Sequence, residues 1–426
     1  MLKTISTTKR LARWAGAGCA VGCLCGPQAL AQDALRNAVQ GDREFESRNL
    51  TRTQIQDRPI SAGPVLFRAS VGYALEWNDN IIYTSARSKS DFISRPQMHV
   101  TGFWPATDQT MLSFGVGVSY EHYLDNSHLS HLNVSPDSAL AWDITAKDWL
   151  FTIYDRISYS QDVISQAALS GTARFPRFEN TAGLRARWQP SHYEFQMGYS
   201  HYNFYATKSE YDYLTRSSEQ FFGRAAWRFA EKTQAGIEAS GSLTHYDSSD
   251  RSDNQSLSIG PFVEWQVLED LRLSARGGYV TYFMDKAVYG GSDTLSSYYV
   301  GFDAQHRLTD YLTHGLSVTR DVQQSVLQGS SFTEHFRVGY TTSWAFHHSA
   351  SLSLNGFFEQ GDETRAGFSE KYDRFGFGCS VRWQLLKDLS ASLAYRFTNR
   401  NSNSKQRANN YDYDQNVVTL SAIYQF

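Results

Sequence analysis

From about residue 66 to its end, the sequence is a series of runs in which apolar and polar residues alternate, each about ten to fifteen residues long. The first run reads FRASVGYALEW over residues 67–77, with apolar side chains at the odd positions and small or polar ones at the even positions. A repeat of two residues predicts β-strands with one apolar face and one polar face. The final run, Val417–Phe426, has the same pattern and ends on an aromatic residue.

Two kinds of link separate these runs. Eight short links recur about every 40 residues, at 105–109, 147–148, 190–191, 231–232, 269–270, 309–310, 347–348 and 387–388. Nine longer polar links lie between them, at 78–90, 124–136, 161–176, 208–215, 247–254, 285–293, 323–330, 361–370 and 401–412. Seventeen links join eighteen strands, and an even number of strands places both chain termini on the same side.

This arrangement predicts an all-β fold, a transmembrane antiparallel up-and-down β-barrel of about 18 strands with both termini in the periplasm. Strands of this length match a tilted crossing of the bilayer. A propeller is excluded because its repeats contain four short strands, whereas each repeat here contains two long ones. Alternation alone also fits a soluble sandwich. Aromatic residues next to the short links favour lipid, because they predict an interfacial girdle: Trp104, Trp149, Trp188, Trp227, Trp265, Trp344 and Trp383.

The start of the chain resembles a secretory signal, which we predict over residues 1–31. A basic segment precedes the apolar run Trp14–Cys25, and Ala29–Ala31 matches a cleavage site that would start the mature chain at Gln32. A lipoprotein box at Cys23 is a weaker alternative, because it lacks the favoured Leu. Residues 32–64 are polar and aperiodic, and we predict a flexible periplasmic linker, or alternatively a docking arm or pore plug, before a barrel domain over 65–426.

Composition excludes several classes of function. The net charge of −3 gives no basic field, so we expect no nucleic-acid partner. Cys379 is the one cysteine beyond the signal, which predicts no disulfide framework and no cysteine metal site. His128 and His131 would need further metal ligands that the sequence does not identify. No Ser/His or Asp/His catalytic motif is recognisable, so we expect no enzyme activity, no cofactor and no metal.

The alternation also predicts which charged side chains face the interior. The candidate pore-lining residues are Arg185, Arg187, Arg224, Arg228, Arg272, Arg276, Arg337, Arg374, Arg382, Arg396, Glu238, Glu264 and Asp303. Barrels of 16–18 strands enclose an aqueous channel, and an arginine-rich wall would raise the local concentration of anions. The alternative is a wall of cross-strand ion pairs that has no selectivity.

Asp155 is an exception to the alternation, because it falls on the apolar face between Ile153 and Ile157. A carboxylate near the middle of a bilayer is costly. We expect a β-bulge to redirect its side chain; a position nearer the membrane edge or a contact with a partner are the alternatives.

Three short motifs resemble a known family. EWNDNI at 76–81, YRFTNRNS at 395–402 and YDYDQN at 411–416 resemble the outer-membrane β-barrel porin family labelled "porin 2", and the resemblance covers about residues 65–426. It implies a pore of roughly 18 strands in the bacterial outer membrane. Some members are linked to export of capsule or exopolysaccharide beside a periplasmic polysaccharide-export protein. The resemblance therefore implies an anionic polysaccharide as cargo and such a periplasmic protein as a partner.

Three hypotheses follow for the function. The first is an outer-membrane channel with a water-filled, arginine-rich lumen that exports a polysaccharide. The second is a diffusion porin for general or sugar uptake, and the third is a structural or adhesive barrel whose loops bind a surface partner. In each of them the barrel is embedded in outer-membrane lipid, and the barrel-assembly machinery would recognise the closing strand through Phe426.

Overall fold

The computed structural model describes residues 60–163, 172–285, 293–326, 332–365, 368–403, 405–406 and 409–426. Eighteen long strands dominate it, with the following bounds: β1 Val65–Asn78, β2 Asp91–Thr107, β3 Thr110–Tyr123, β4 His131–Ala146, β5 Trp149–Ser160, β6 Arg177–Trp188, β7 Tyr193–Ala206, β8 Arg216–Ala230, β9 Thr233–Tyr246, β10 Asn254–Leu268, β11 Leu271–Met284, β12 Thr294–Thr309, β13 Leu312–Gln324, β14 Phe332–His347, β15 Ala350–Arg365, β16 Phe368–Gln384, β17 Leu389–Ser402 and β18 Tyr413–Gln425. The other described elements are two 3₁₀ helices, Ser127–Leu129 and Ser209–Leu214, and three short strands, Ile60–Ala62, Lys405–Gln406 and Asn409–Asn410. None of the described helices is long and apolar enough to cross a bilayer.

The long strands close into a barrel. Each pairs antiparallel with the next along the chain, and β18 pairs with β1 from Gln425 opposite Ser70 to Val417 opposite Asn78. This confirms the predicted closed antiparallel barrel of eighteen strands. The short strand Ile60–Ala62 pairs with the first residues of β1, on the edge that β18 leaves uncovered. Part of the segment predicted to be a flexible linker is therefore a paired strand, and the rest, up to residue 59, lies outside the described residues.

Short connections lie at one end of the barrel, which we call the turn end, and longer ones lie at the other, which we call the loop end. The eight predicted short links are all present between the strands.

Two predicted long links are wrong. β4 begins at His131 instead of after residue 136. The register shift between Val134 and Ser138 shows that the residues predicted as a loop form a β-bulge within this strand. β15 and β16 also remain paired to their ends across the predicted link 361–370.

The apolar face of the strands points outward. On β1, Val71 is 47% exposed and Tyr73 52%, whereas Ala74 and Glu76 are buried. All seven tryptophans of the predicted girdle lie on the outward face near the turn end, and five of them are large exposed side chains: Trp104, Trp227, Trp265, Trp344 and Trp383. A polar interior inside an apolar wall is the inverse of a soluble sandwich and is the arrangement of a barrel in lipid.

Asp155 stays on the outward face. β5 pairs without interruption on both sides of it, with Leu140 on β4 and Ala182 on β6. The predicted bulge at Asp155 is therefore wrong. The register shift in this region lies on β4, between Val134 and Ser138, which is nearer the loop end. The exposed carboxylate instead accepts a hydrogen bond from Asn180 Nδ2 at 2.5 Å.

Candidate functional site

The inward face of the barrel wall carries the charged residues that the sequence predicts to line a pore. Alternating burial places every one of them there: Arg185 and Arg187 on β6, Arg224 and Arg228 on β8, Glu238 on β9, Glu264 on β10, Arg272 and Arg276 on β11, Asp303 on β12, Arg337 on β14, Arg374 and Arg382 on β16 and Arg396 on β17. Their role in lining a conducting pore stays a prediction. The structure adds which of them contact one another.

Glu194 is the centre of a first cluster near the turn end. It is the second residue of β7 and only 1% exposed. Its Oε2 accepts hydrogen bonds from Arg187 Nη2 at 2.8 Å and from Arg228 Nη2 at 3.0 Å. The amides of Gln189 and Gln196 also donate to this carboxylate, at 2.6 and 2.7 Å. One carboxylate therefore serves two guanidiniums, which come from the strands on either side of it.

Glu264 on β10 is the centre of a second cluster. Its Oε1 accepts a hydrogen bond from Arg224 Nη2 at 2.5 Å, and its Oε2 lies 3.5 Å from Arg272 Nη2. Gln234 Nε2 donates to Oε2 at 3.0 Å. The Arg224 guanidinium also lies 3.7 Å from the centre of the Phe262 ring, which fixes its orientation by a cation–π contact.

Glu359 on β15 is the centre of a third cluster, farther from the turn end. Its Oε2 accepts hydrogen bonds from Arg337 Nη1 at 3.0 Å and from Arg374 Nη2 at 2.9 Å. His335 Nδ1 lies 3.8 Å from Oε1, too far for a hydrogen bond. The Phe357 ring lies beneath both guanidiniums, with centroid distances of 4.3 and 5.3 Å. The rigid strands and this ring hold two cations around one anion.

The three clusters share one charge balance. Arginine stays protonated in proteins, so two guanidiniums around one carboxylate leave one net positive charge. Arg276 differs, because it lies 3.5 Å from Glu238, whose second oxygen accepts a hydrogen bond from the Tyr299 hydroxyl at 3.4 Å. Among the described residues, Asp303 and Arg396 form no ion pair. The wall therefore combines ion pairs with a surplus of positive charge at the three clusters.

Loops from separate hairpins meet over the loop end. The Tyr213 hydroxyl donates to the carbonyl of Val326 at 2.8 Å, and Arg251 Nη2 donates to the carbonyl of Ser325 at 2.9 Å. Leu214 is completely buried in the apolar cluster beneath them. Burial lowers the pKa of the Arg251 guanidinium and raises the pKa of the Tyr213 hydroxyl. These contacts connect the loops that follow β7, β9 and β13.

Sequence reasoning missed Arg251, and it placed His131 in a loop instead of a strand. Arg251 lies in a polar link, and its carbonyl partner is 74 positions away, so no local pattern indicates the contact. The polar residues around Pro136 made the predicted link 124–136 too long, so that it included His131. In the structure His131 begins β4 and is buried. A strand pattern that tolerates a bulge would have found it.

A family described as "Putative beta-barrel porin 2" matches residues 57–426. The chain belongs to this family. It is therefore a porin-like channel of the bacterial outer membrane, as the motifs at both ends of the barrel domain predicted. No curated protein is similar enough in sequence to match it.

Several solved structures are similar to the barrel. The outer membrane protein OpdK from Pseudomonas aeruginosa has a TM-score of 0.48 and 11% identity, over 84% of this chain and 99% of that one. OccAB3 from Acinetobacter baumannii has a TM-score of 0.49 and 9% identity, over 84% and 99%. OccK2 (OpdF) from P. aeruginosa, in complex with glucuronate, has a TM-score of 0.49 and 12% identity, over 84% and 98%.

Proposed function

We propose that the chain is a passive channel that favours small anionic solutes over cations. The observation that carries this proposal is the ratio of two guanidiniums to one carboxylate around Glu194, Glu264 and Glu359. Each cluster keeps one net positive charge on the inner wall. A low-dielectric wall concentrates the field of such charges in the channel, so anions accumulate there and cations are depleted.

Contacts between loops at the loop end support small solutes over a polymer. Tyr213 and Arg251 come from two different loops, and both donate to backbone carbonyls directly after β13, those of Val326 and Ser325. Solutes of the size of a sugar acid need less free cross-section than a polysaccharide chain. We therefore place uptake of small organic anions first.

Export of an anionic polysaccharide, the cargo that the family resemblance implies, is the second candidate. It is favoured by the positions of the clusters, because Glu194 lies one residue from the end of its strand whereas Glu359 lies well inside its own. Positive charge is therefore distributed along the length of the wall, which suits a polyanion. A periplasmic polysaccharide-export protein would be the partner in this case.

Ion selectivity in a planar bilayer tests the charged wall. Arg272→Gln removes a half-exposed cation of the Glu264 cluster and is expected to lower the anion preference, measured as reversal potential in a KCl gradient. Glu264→Gln is expected to raise it. Arg87→Gln, the same charge change in an exposed loop, is the matched control and should leave selectivity unchanged. Equal shifts for Arg272→Gln and Arg87→Gln, or a cation-selective wild type, would contradict the proposal.

The two cargoes are separated by deletion of the gene in the bacterium that carries it. Slower entry of labelled sugar acids with normal secreted polysaccharide supports uptake, and loss of secreted polysaccharide with normal entry supports export. An intact barrel that conducts no ions in the bilayer would exclude both and favour a structural or adhesive role.

A further inference from the structure

A second group of charged side chains lies at the loop end, on the inward side of β3, β4 and the residues after β5. The carboxylates of Glu121 and Asp162 and the imidazole of His131 each place one ligand atom within 4.8 Å of the other two. Glu121 and His131 are buried, and Asp162 is exposed. None of the three belongs to the arginine clusters described above.

The tautomer of His131 is fixed by its surroundings. Its Nδ1 lies 2.8 Å from the carbonyl oxygen of Leu129, and a carbonyl only accepts, so Nδ1 carries the proton. In the neutral ring Nε2 then holds a lone pair. His131 is only 6% exposed, and within the described part of the chain its Nε2 has no hydrogen-bond partner. A backbone carbonyl on one ring nitrogen and a lone pair on the other is the usual arrangement of a metal-binding histidine.

The two oxygens of Glu121 have different partners. Arg95 donates to Oε1 from Nε at 2.9 Å and from Nη2 at 2.8 Å, and Asn133 Nδ2 donates to it at 3.3 Å. Oε2 lies 3.6 Å from His131 Nε2, which is too long for a hydrogen bond. Two ligands of a tetrahedral zinc with bonds of about 2.0–2.1 Å are about 3.3–3.4 Å apart, close to this separation. Asn133 Oδ1 is buried nearby without a hydrogen-bond partner among the described residues.

We propose that Glu121 Oε2, His131 Nε2 and an oxygen of Asp162 bind a divalent transition-metal ion, with Zn²⁺ as the best fit. One nitrogen and two oxygen donors suit zinc, whereas Ca²⁺ and Mg²⁺ prefer oxygen donors alone. Arg95 orients Glu121 from the opposite side and leaves Oε2 for the ion. This assignment revises the expectation of no metal site, because the sequence could not show which ligands accompany His131.

The local charge also favours a cation here. Glu76, Glu121 and Asp162 stand against the guanidiniums of Arg95 and Arg174, while Arg177, which donates to the carbonyl of Asp162 at 2.8 Å, is paired with Glu179. This corner is therefore net negative when Glu121 is ionised, as a metal ligand must be, and His131 is neutral. It is thereby opposite in sign to the arginine clusters. Asp162 lies two positions beyond the end of β5, so a bound ion would tie the start of the following loop to the barrel wall.

Zinc binding to the folded, tag-free chain tests the proposal. After treatment with EDTA, titration with ZnCl₂ by calorimetry should show one saturable site per chain. His131→Gln and Asp162→Asn should each weaken it by at least about tenfold. His122→Gln is the matched control, since this histidine is an exposed, outward-facing residue of β3 and should leave binding unchanged. A gel shift on heating would verify that each variant is a folded barrel.

Asp162→Asn changes an exposed side chain and keeps the test decisive even where His131→Gln does not fold. No saturable zinc binding by the wild type would overturn the proposal, as would equal binding by wild type, Asp162→Asn and His122→Gln. Binding of Ca²⁺ that is as tight as that of Zn²⁺ and insensitive to His131→Gln would overturn the role of the histidine. None of these outcomes depends on ion conduction, so this site and the proposed channel function are tested separately.

Discussion

Asp155 is the residue whose surroundings conflict most with its chemistry. It lies on the outward face of β5 between Ile153, 52% exposed, and Ile157, 41% exposed. The hydrogen bond from Asn180 offsets only part of the cost of a carboxylate in an apolar layer. The charge is tolerated because the barrel has many other outward side chains that favour lipid.

Replacement of this carboxylate by an apolar side chain should stabilise the barrel. Asp155→Val is expected to raise the free energy of unfolding in lipid vesicles by about 1–2 kcal/mol, measured by denaturant titration. Asn180→Ala, which removes the donor and keeps the charge, should lower it by about 1 kcal/mol. A loss of stability in Asp155→Val would show that the carboxylate faces water or a partner instead of lipid.

Glu194 shows the opposite situation, a buried carboxylate that two cations require. Glu194→Ala leaves Arg187 and Arg228 without their shared acceptor, and we expect a loss of about 1–3 kcal/mol in the free energy of unfolding. The same titration measures it. Glu231→Ala in the exposed turn between β8 and β9 is the control and should have little effect. An equal change in both variants would mean that the ion pairs at Glu194 contribute nothing specific.

At the scale of elements, the closing strand β18 has a role in the fold, and the sequence predicts a second role in assembly. In the fold it pairs with β17 and β1, and the amide of Phe426 donates to the carbonyl of Ala69 at 2.9 Å. The Phe426 side chain is 58% exposed, and its ring contacts that of Tyr424 with a centroid distance of 4.9 Å. We expect the assembly machinery to recognise this exposed aromatic ring.

Phe426→Ala should separate assembly from stability. We expect a marked fall in the heat-modifiable, membrane-inserted fraction in cells, together with nearly unchanged stability after refolding in vesicles. Leu420→Ala, also an exposed apolar residue of β18, is the control for loss of outward apolar area and should assemble normally. Equal assembly of wild type and Phe426→Ala would refute the role of the terminal ring.

The whole molecule has a polarised interior. Positive clusters lie on the wall formed by β6–β11 and β14–β16, and the negative corner of Glu76, Glu121 and Asp162 lies at the loop end near β1–β5. Solutes that cross the barrel therefore meet charge of both signs. Because net charges of this kind act through space, their effect depends on the ionic strength.

Anion preference should fall as salt concentration rises. The Debye length shortens from about 10 Å at 0.1 M to about 3 Å at 1 M, so the wall charges act on a smaller part of the lumen. We expect the ratio of chloride to potassium permeability to approach that of free solution between these concentrations. Bilayer recordings at fixed gradient and increasing KCl measure it. A ratio that stays constant would indicate that a narrow binding site, instead of the wall potential, selects the ion.

The sequence by itself determined the strands, their faces and their approximate number. These depend on a two-residue period and on turn residues such as Lys147 and Asp148, which are local properties of the chain. The girdle of tryptophans and the motifs around Tyr395 and Tyr411 then indicated the membrane and the family. The bulge at Pro136 was missed, because the same polar residues fit a loop equally well.

Only the tertiary structure decided which inward charges meet. Arg228 and Glu194 are 34 positions apart and Arg224 and Glu264 are 40, and their contacts depend on the stagger between strands. The same holds for the three proposed metal ligands, Glu121, His131 and Asp162, which come from two strands and a loop. A local period gives the face of each side chain. Closure of the sheet sets the height of each side chain in the barrel and the partner that it meets. Height and partner together decide whether a charged group is paired, shared between two partners or left for a ligand.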